Sequence, residues 1–547
     1  MIVLVRKERK MAMRKMKKIA AMILAIALTL MCFGCGKKTT ENTSTQPLGQ
    51  DSATSGVSSA KEAGENAFSV AIGENMTELH PLNQATLPGK AVMDMVYDTL
   101  VSSDHEGEYT PMLATKWEIS EDGKVWTFWL RDDVIFHNGE EFTSADVVNT
   151  FNILLESPDT LTCSTQYWTN LEGVAAVDTY TVELHLNAEM ASGIVLMGIA
   201  NTYIIPDEAY AEYGENMFTD QLMYGSGPWL FDEWVDGQYV HLLKNANYWG
   251  AHDSAYSEFY MRFITEAATA INAHLSGTVN AYVTTGGIDP DLVSLYDSYD
   301  ASIDVFQKSC GTFYYIGMQC AGAFQDLKIR QAFEAAIDRE AIMKALFGDG
   351  ELPSSILTDT CFGYDPELKN YVYDSDTARK YLMESSYDGS EIILSSNTAT
   401  KKAETILLAM SEMLNDVGFN TKVSIVEGAT LLEMRSTGEY DAFLVTWSHN
   451  FGDPYMFLNQ RVLLDVHHTN YRNDRVNELI EASSEETDDI ARAEEIREAI
   501  RLMREDSAPY YPIMLIKSIF AVDRGVTGVD IFSDGIFSFR NVSYLAS

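Results

Sequence analysis

The residues best equipped to meet a small molecule lie in one short loop. Trp447, Ser448, His449, Asn450 and Asp453 follow an apolar strand pattern over 442–446 and bring an aromatic wall, a hydroxyl, an imidazole, an amide and a carboxylate together. Loops at strand ends are where ligand-contacting groups collect, and an indole can wall a pocket. A purely structural alternative has Trp447 in the core and Asp453 with Pro454 opening a turn. The machinery of turnover is missing: the chain contains no H-E-x-x-H, no G-x-S-x-G, no phosphate loop and no dinucleotide fingerprint. His467 and His468 are adjacent, so on a strand they would face opposite ways, and no acidic residue at a matching spacing joins them; they are expected in a solvated loop. Asp374-Ser375-Asp376 is too short for a calcium loop. These groups suit binding, with no catalytic residue, metal or cofactor expected.

The elements that position this loop are specified unevenly. The densest stretch is 113–151, where residues 116–120 and 125–130 predict two strands joined by a turn at Gly123. Trp126, Phe128 and Leu130 alternate with Val125, Thr127 and Trp129, so both faces of the second strand are expected to be covered. Asn138-Gly139 makes another turn, and Thr143 with Asp146 three residues on predicts a capping box opening a helix that Ser157-Pro158 ends. A short strand over 68–73, a helix over 91–100 and a salt-bridged surface helix over 488–505 are also expected.

Length and charge set the frame. At 547 residues there is material for two or three cores. The 80 acidic against 39 basic residues, net −41, argue against a nucleic-acid or anionic-membrane partner, since either calls for a basic face.

The N-terminus is basic from Arg6 to Lys18 and then apolar over 19–31, too short a run for a spanning helix, which predicts a secretory signal; Met11 or Met13 as the start would leave it intact. Gly34-Cys35-Gly36 resembles a bacterial lipoprotein cleavage site, implying a signal peptide of 1–34 and a lipidated Cys35. Removing 1–34 takes away a net +7, so −41 becomes −48. Residues 35–65, rich in Thr, Ser, Gly and Asn, predict a disordered tether with a reach of roughly 30 Å. The cysteines beyond residue 35, Cys163, Cys310, Cys320 and Cys361, are irregularly spaced and are expected mostly as buried thiols.

Trp117, Ile119, Ser120, Asp122, Gly123, Trp126, Phe128, Leu130, Arg131, Val134, Phe136, His137, Gly139, Phe142, Thr143, Ser144, Asp146, Val147 and Phe151 stand in register with a block found in family 5 extracellular solute-binding proteins of ABC importers. Gly225-Ser226-Gly227-Pro228-Trp229, the segment 245–250, Ile329-Arg330-Gln331-Ala332-Phe333 with Ile337-Asp338-Arg339, Gly452-Asp453-Pro454 and 508–513 follow in the family's order. The chain thus resembles the dipeptide-, oligopeptide- and nickel-binding lipoproteins of that family from residue 68 onward.

The resemblance implies an α/β, two-lobed periplasmic-binding-protein "flytrap". Lobe one would comprise 66–307 plus 518–547, with an extra subdomain near 106–221. Lobe two would comprise 308–517, with hinges near Cys310 and Ser518. It implies capture of a small solute or short peptide and not catalysis, and delivery to a permease and its ATPase. It also implies lipid attachment to the outer face of the cytoplasmic membrane, or to a periplasm-facing membrane in a cell with an outer membrane. In peptide-binding members an Asp at the position of Asn450 meets the ligand's ammonium, and an amide there supplies no charge. This favours a blocked peptide, or a non-peptide solute such as an oligosaccharide, an opine-like compound or a metal chelate, unless Asp453 compensates. Arg435 matches a cleft arginine of oligopeptide binders; an exposed helix-end Arg is the alternative. Tyr314, Tyr315 and Tyr511 flank the expected crossings and are candidates for cleft wall or core. A secreted hydrolase is the remaining class, disfavoured by the missing motifs.

Overall fold

The computed structural model describes residues 66–547 except 85, 106, 285–289, 300–301, 349, 399, 401, 450–451, 533–534 and 546–547. The signal segment, Cys35, the tether and Asn450 lie outside the described residues. Among the described residues, no helix is long and apolar enough to cross a membrane.

Two long strands, Ile303–Met318 and Tyr510–Asp523, organise the molecule. They pair antiparallel from Ile303↔Asp523 to Gly317↔Tyr510, and the register slips between Ser309 and Phe313 and again between Tyr314 and Tyr315. On one side the sheet continues through Ala281–Val283, Ala67–Ile72, Glu258–Phe263, Tyr239–Lys244 and Trp229–Val235. On the other it continues through Ala442–Trp447, Ile392–Asn397 and Thr421–Val426. The first side carries one large apolar core. The second is packed by two further cores, one on the helices Leu327–Ala336 and Ala403–Val417, the other on Asp474–Glu485 and Asp489–Glu505.

The stretch 113–151 supplies two strands, Ala114–Ile119 and Val125–Leu130, of a separate four-stranded antiparallel sheet that Thr181–Leu186 and Leu171–Asp178 complete. Trp126, Phe128 and Leu130 are buried, as alternation requires. The opposite row is only half-buried: Lys116 lies 3.6 Å over the Trp129 ring, so a snorkelling cation covers what was expected to be a second packed face. The capping box forms as written: Thr143 caps Ser144–Glu156, and its backbone N–H donates to Asp146 Oδ2 at 2.8 Å. The early helix is Leu87–Val96, ahead of the expected 91–100, because the Thr86 side chain caps it and Pro88 sits in its first turn.

The landmark segments near 225 and 245 converge on one buried carboxylate. Asp98 Oδ2 accepts from Ser226 Oγ and from Trp249 Nε1, both at 2.8 Å, while Oδ1 pairs with Arg540. The chain's end is thereby tied back to the first core. Cβ atoms at Gly225 and Gly227 would lie 1.9 and 2.5 Å from the carbonyl oxygens of Val96 and Met95, so this approach demands glycine at both.

Candidate functional site

Strand Ala442–Trp447 pairs antiparallel with Ile303–Met318, setting Trp447 opposite Phe313. Its residues Ala442, Phe443, Leu444 and Val445 are all buried, and the strand ends at Trp447, which is half-buried. There the indole packs against both the first core and the core of the helices Asp474–Glu485 and Asp489–Glu505. It meets Phe457 edge-on at 5.5 Å, and the Arg461 guanidinium lies 4.8 Å over its face. Trp447 Nε1 is buried without a hydrogen-bond partner.

Behind Trp447 the loop turns inward. The Ser448 and Thr312 hydroxyls are hydrogen-bonded to each other. His449 is buried, its Nε2 donating to Ile356 O at 2.8 Å and its ring stacked near Phe313. Burial pulls its pKa down to about 4, so the imidazole is neutral, with Nδ1 left as the free acceptor. Asp453 accepts from the guanidinium of buried Arg492 at 2.8 and 3.1 Å, and its Oδ1 also receives the Tyr455 N–H. Asp453 is thus already paired inside the protein, which leaves it poorly placed to compensate for Asn450. Helix Asp489–Glu505 supplies Arg492 from its inner face, in line with Ile496 and Ile500. The expected surface helix has a buried charge on its apolar stripe; its solvent side is salt-bridged as expected, for example by Arg497 with Glu494 at 2.6 Å.

Arg435 sits in the last turn of Gly428–Thr437, half-buried, its guanidinium 5.4 Å over Phe443 and its Nε without a partner. It is therefore not a freely solvated helix-end residue. His467 is buried against Phe443 and Tyr510, contrary to the expected solvated loop, because the Tyr440 hydroxyl donates to its backbone oxygen at 2.8 Å and holds the segment inward. Burial first, then the charges of Arg461, Arg435 and His468, lower its pKa to about 2.

Tyr314, Tyr315 and Tyr511 are fully buried. Tyr314 and Tyr511 belong to the core under Leu327–Ala336, and the Tyr511 hydroxyl donates to Glu334 O at 3.2 Å. Tyr315 lies deeper than Trp447, between Phe443, Phe457 and Tyr510, with its hydroxyl toward Arg461 and Arg435. All three pack as core in this conformation. Arg461 is brought to Trp447, while Arg435 lies over Phe443. Sequence reasoning missed Arg461, whose one signal is a charge set among Phe457, Leu458, Val462 and Leu463. Cys163, Cys320 and Cys361 are buried free thiols.

The model of bacterial extracellular solute-binding proteins, family 5 (Middle), matches residues 108–463. The chain belongs to this family. It is 24% identical over 488 residues to the periplasmic oligopeptide-binding protein OppA of Salmonella typhimurium, covering 84% of this chain and 89% of that one. Among solved structures, the dipeptide-binding protein from Pseudoalteromonas sp. SM9913 in complex with Met-Leu superposes with a TM-score of 0.76 at 23% identity, covering 88% of this chain and all (100%) of that one. NikA from Brucella suis in complex with Fe(III)-EDTA gives 0.77 at 20% identity with the same coverage. The two-lobed periplasmic-binding-protein fold of the family is therefore the fold of this chain. The family is one of extracellular substrate-binding proteins.

Proposed function

We propose that this chain captures a solute of the peptide class beside Trp447 and hands it to the permease of an ABC importer, whose ATPase supplies the energy. The observation that carries this reading is the placement of Trp447: an aromatic at a strand end, touching both cores, in a chain aligned over most of its length with an oligopeptide-binding protein. Lobes of 66–307 plus 518–547 and of 308–517 would close by bending where the long strands slip register after Ser309, with the subdomain of 106–221 riding on lobe one. A hydrogen bond from Ala191 N–H to Ser484 O at 2.9 Å supports a contact between that subdomain and lobe two. A ligand bridging both lobes binds the closed state better and shifts the population toward it. Nothing in that cycle requires catalysis. Export with a lipid on Cys35 would keep the chain beside the permease, and the tether of 35–65 would give it reach. The excess of acidic residues leaves nucleic acid out as a partner.

Asn450 shapes the ligand. With an amide in place of a carboxylate, a peptide whose N-terminus is blocked fits better than a free one. Native mass spectrometry of freshly purified protein tests the proposal: a co-purified mass that fragments as an amino-acid ladder is expected. A glycan or a metal chelate at that mass would overturn the peptide reading, and turnover of a peptide or glycan library by the pure protein would overturn capture without catalysis.

A further inference from the structure

A cavity of about 220 Å³ opens beside the segment 351–359, and none of Trp447, Ser448, His449, Asp453, Arg435 or Arg461 lines it. Leu357, Leu368 and Leu515 give it apolar walls, and Ser354, Glu351 and Asp359 add a hydroxyl and two carboxylates. Its walls are pinned from behind. Asn370 Nδ2 donates to Leu352 O at 2.7 Å, Arg339 Nη1 to Pro353 O at 3.0 Å and His449 Nε2 to Ile356 O at 2.8 Å. The two-residue strand Gly350–Glu351 pairs with Ile516 and Leu515 of the long strand Tyr510–Asp523. The cavity is therefore formed before anything enters it, and binding there orders little of the protein.

Two features point to an occupant. Ser354 is nine-tenths buried, and its Oγ has no hydrogen-bond partner. A buried hydroxyl left unpaired costs stability, which a ligand able to reach it would recover. The lining residues also include two carboxylates and no Lys, Arg or His. Asp359 is exposed and has no ion-pair partner among the described residues. Arg339 stands behind the wall, where its guanidinium is taken up by Pro353 O, Pro512 O and Asn370 Oδ1. A metal ion would need a further ligand beside the two carboxylates, and the one three-carboxylate cluster among the described residues, Glu140, Asp146 and Asp207, lies elsewhere.

We propose that this cavity is a second binding site of the chain and takes an aliphatic ammonium group. An ammonium is a compact charge with three donors and no acceptor, which matches two carboxylates and a hydroxyl oxygen. Leu357, Leu368 and Leu515 would cover the methylenes behind it. The inference goes beyond the capture of a solute beside Trp447, because the two places share no wall and meet only through the bond from His449 to Ile356 O. A free amine and the lysine side chain of a captured peptide carry the same group, and the test separates these sources.

The test is calorimetric titration with two pairs of compounds that differ only in the charge: n-butylamine against 1-butanol, and N-acetyl-Ala-Lys against N-acetyl-Ala-norleucine. Wild type is compared with the double variant Glu351→Gln, Asp359→Asn and with Ser354→Ala. Both acidic residues are exposed, so the double variant should fold; Ser354→Ala removes an unpaired hydroxyl and should be no less stable to urea than wild type. Wild type should favour the charged member of a pair by roughly tenfold or more. The double variant should lose that preference, and Ser354→Ala should weaken it. A preference in the butyl pair identifies a free amine as the source, and one confined to the peptide pair identifies the peptide's lysine. A preference for n-butylamine that depends on the two acids, with neither peptide binding, supports the site and overturns the peptide reading. Equal affinity within both pairs, no binding of any of the four compounds, or a preference that survives in the double variant overturns the site.

Discussion

Arg492 grips Asp453 with both ends of its guanidinium, Nη1 to Oδ2 at 2.8 Å and Nη2 to Oδ1 at 3.1 Å, and both side chains are shut away from solvent. The pair ties the end of the Trp447 loop to helix Asp489–Glu505. Arg492 is held further by Ser483 O, 3.0 Å from its Nε, and by the Phe362 ring 4.6 Å below.

Breaking one half of this pair strands the other charge. Arg492→Met or Asp453→Asn alone should cost about 3–5 kcal/mol in urea unfolding, and the double variant should recover much of that loss. Single-variant losses below about 1 kcal/mol would mean that the pair is solvated and does not anchor the loop.

Glu334 gives the protein an acid-side stability gain. Burial drives its pKa up to about 7 against the opposing charges of Arg504, Arg330 and Arg339, with Ser507 Oγ donating to it at 3.0 Å. Its folded pKa lies above the ordinary 4.5, so the folded state binds the proton more tightly. The ionised form therefore weakens folding above pH 7, and the penalty is relieved as pH falls from about 7 toward 4.5. Asp146, also raised to about 7 by burial, acts in the same direction. Glu334→Gln should stabilise the protein by about 1–3 kcal/mol at pH 8 and have little effect at pH 4.5. Urea midpoints across that range measure it, and a constant difference between the two proteins would contradict it.

Tyr511→Phe separates cleft wall from core. The hydroxyl donates to Glu334 O in a buried setting, so its loss should cost about 1 kcal/mol of stability and leave the affinity for any co-purified ligand unchanged. A tenfold drop in affinity would place Tyr511 in the cleft.

What could be read from the sequence was whatever is local. The capping box at Thr143, the alternation of Trp126 and Phe128, and the glycine turn at Gly123 need only near neighbours, and they form as written. The spacing Arg492, Ile496, Ile500 put a charge on an apolar stripe, which was itself the sign of a buried pair; its partner, Asp453, lies 39 residues away and cannot be named from helix periodicity. His467 went inward for a similar reason, through a hydrogen bond from Tyr440. Arg461 was not legible because its place over the Trp447 ring is set by packing between segments.

We expect Asn450 to bear on the N-terminal end of the ligand. An aspartate there would pair a ligand's ammonium with a carboxylate, a charge-assisted bond roughly twice as strong as a neutral one. Asp453 cannot take over that role while Arg492 holds both its oxygens. Asn450→Asp should therefore tighten binding of Ala-Ala-Glu with a free N-terminus by about tenfold and leave N-acetyl-Ala-Glu unaffected or weakened, as read by calorimetric titration. Equal affinity of wild type and variant for the free peptide would remove Asn450 from the ligand's N-terminal end.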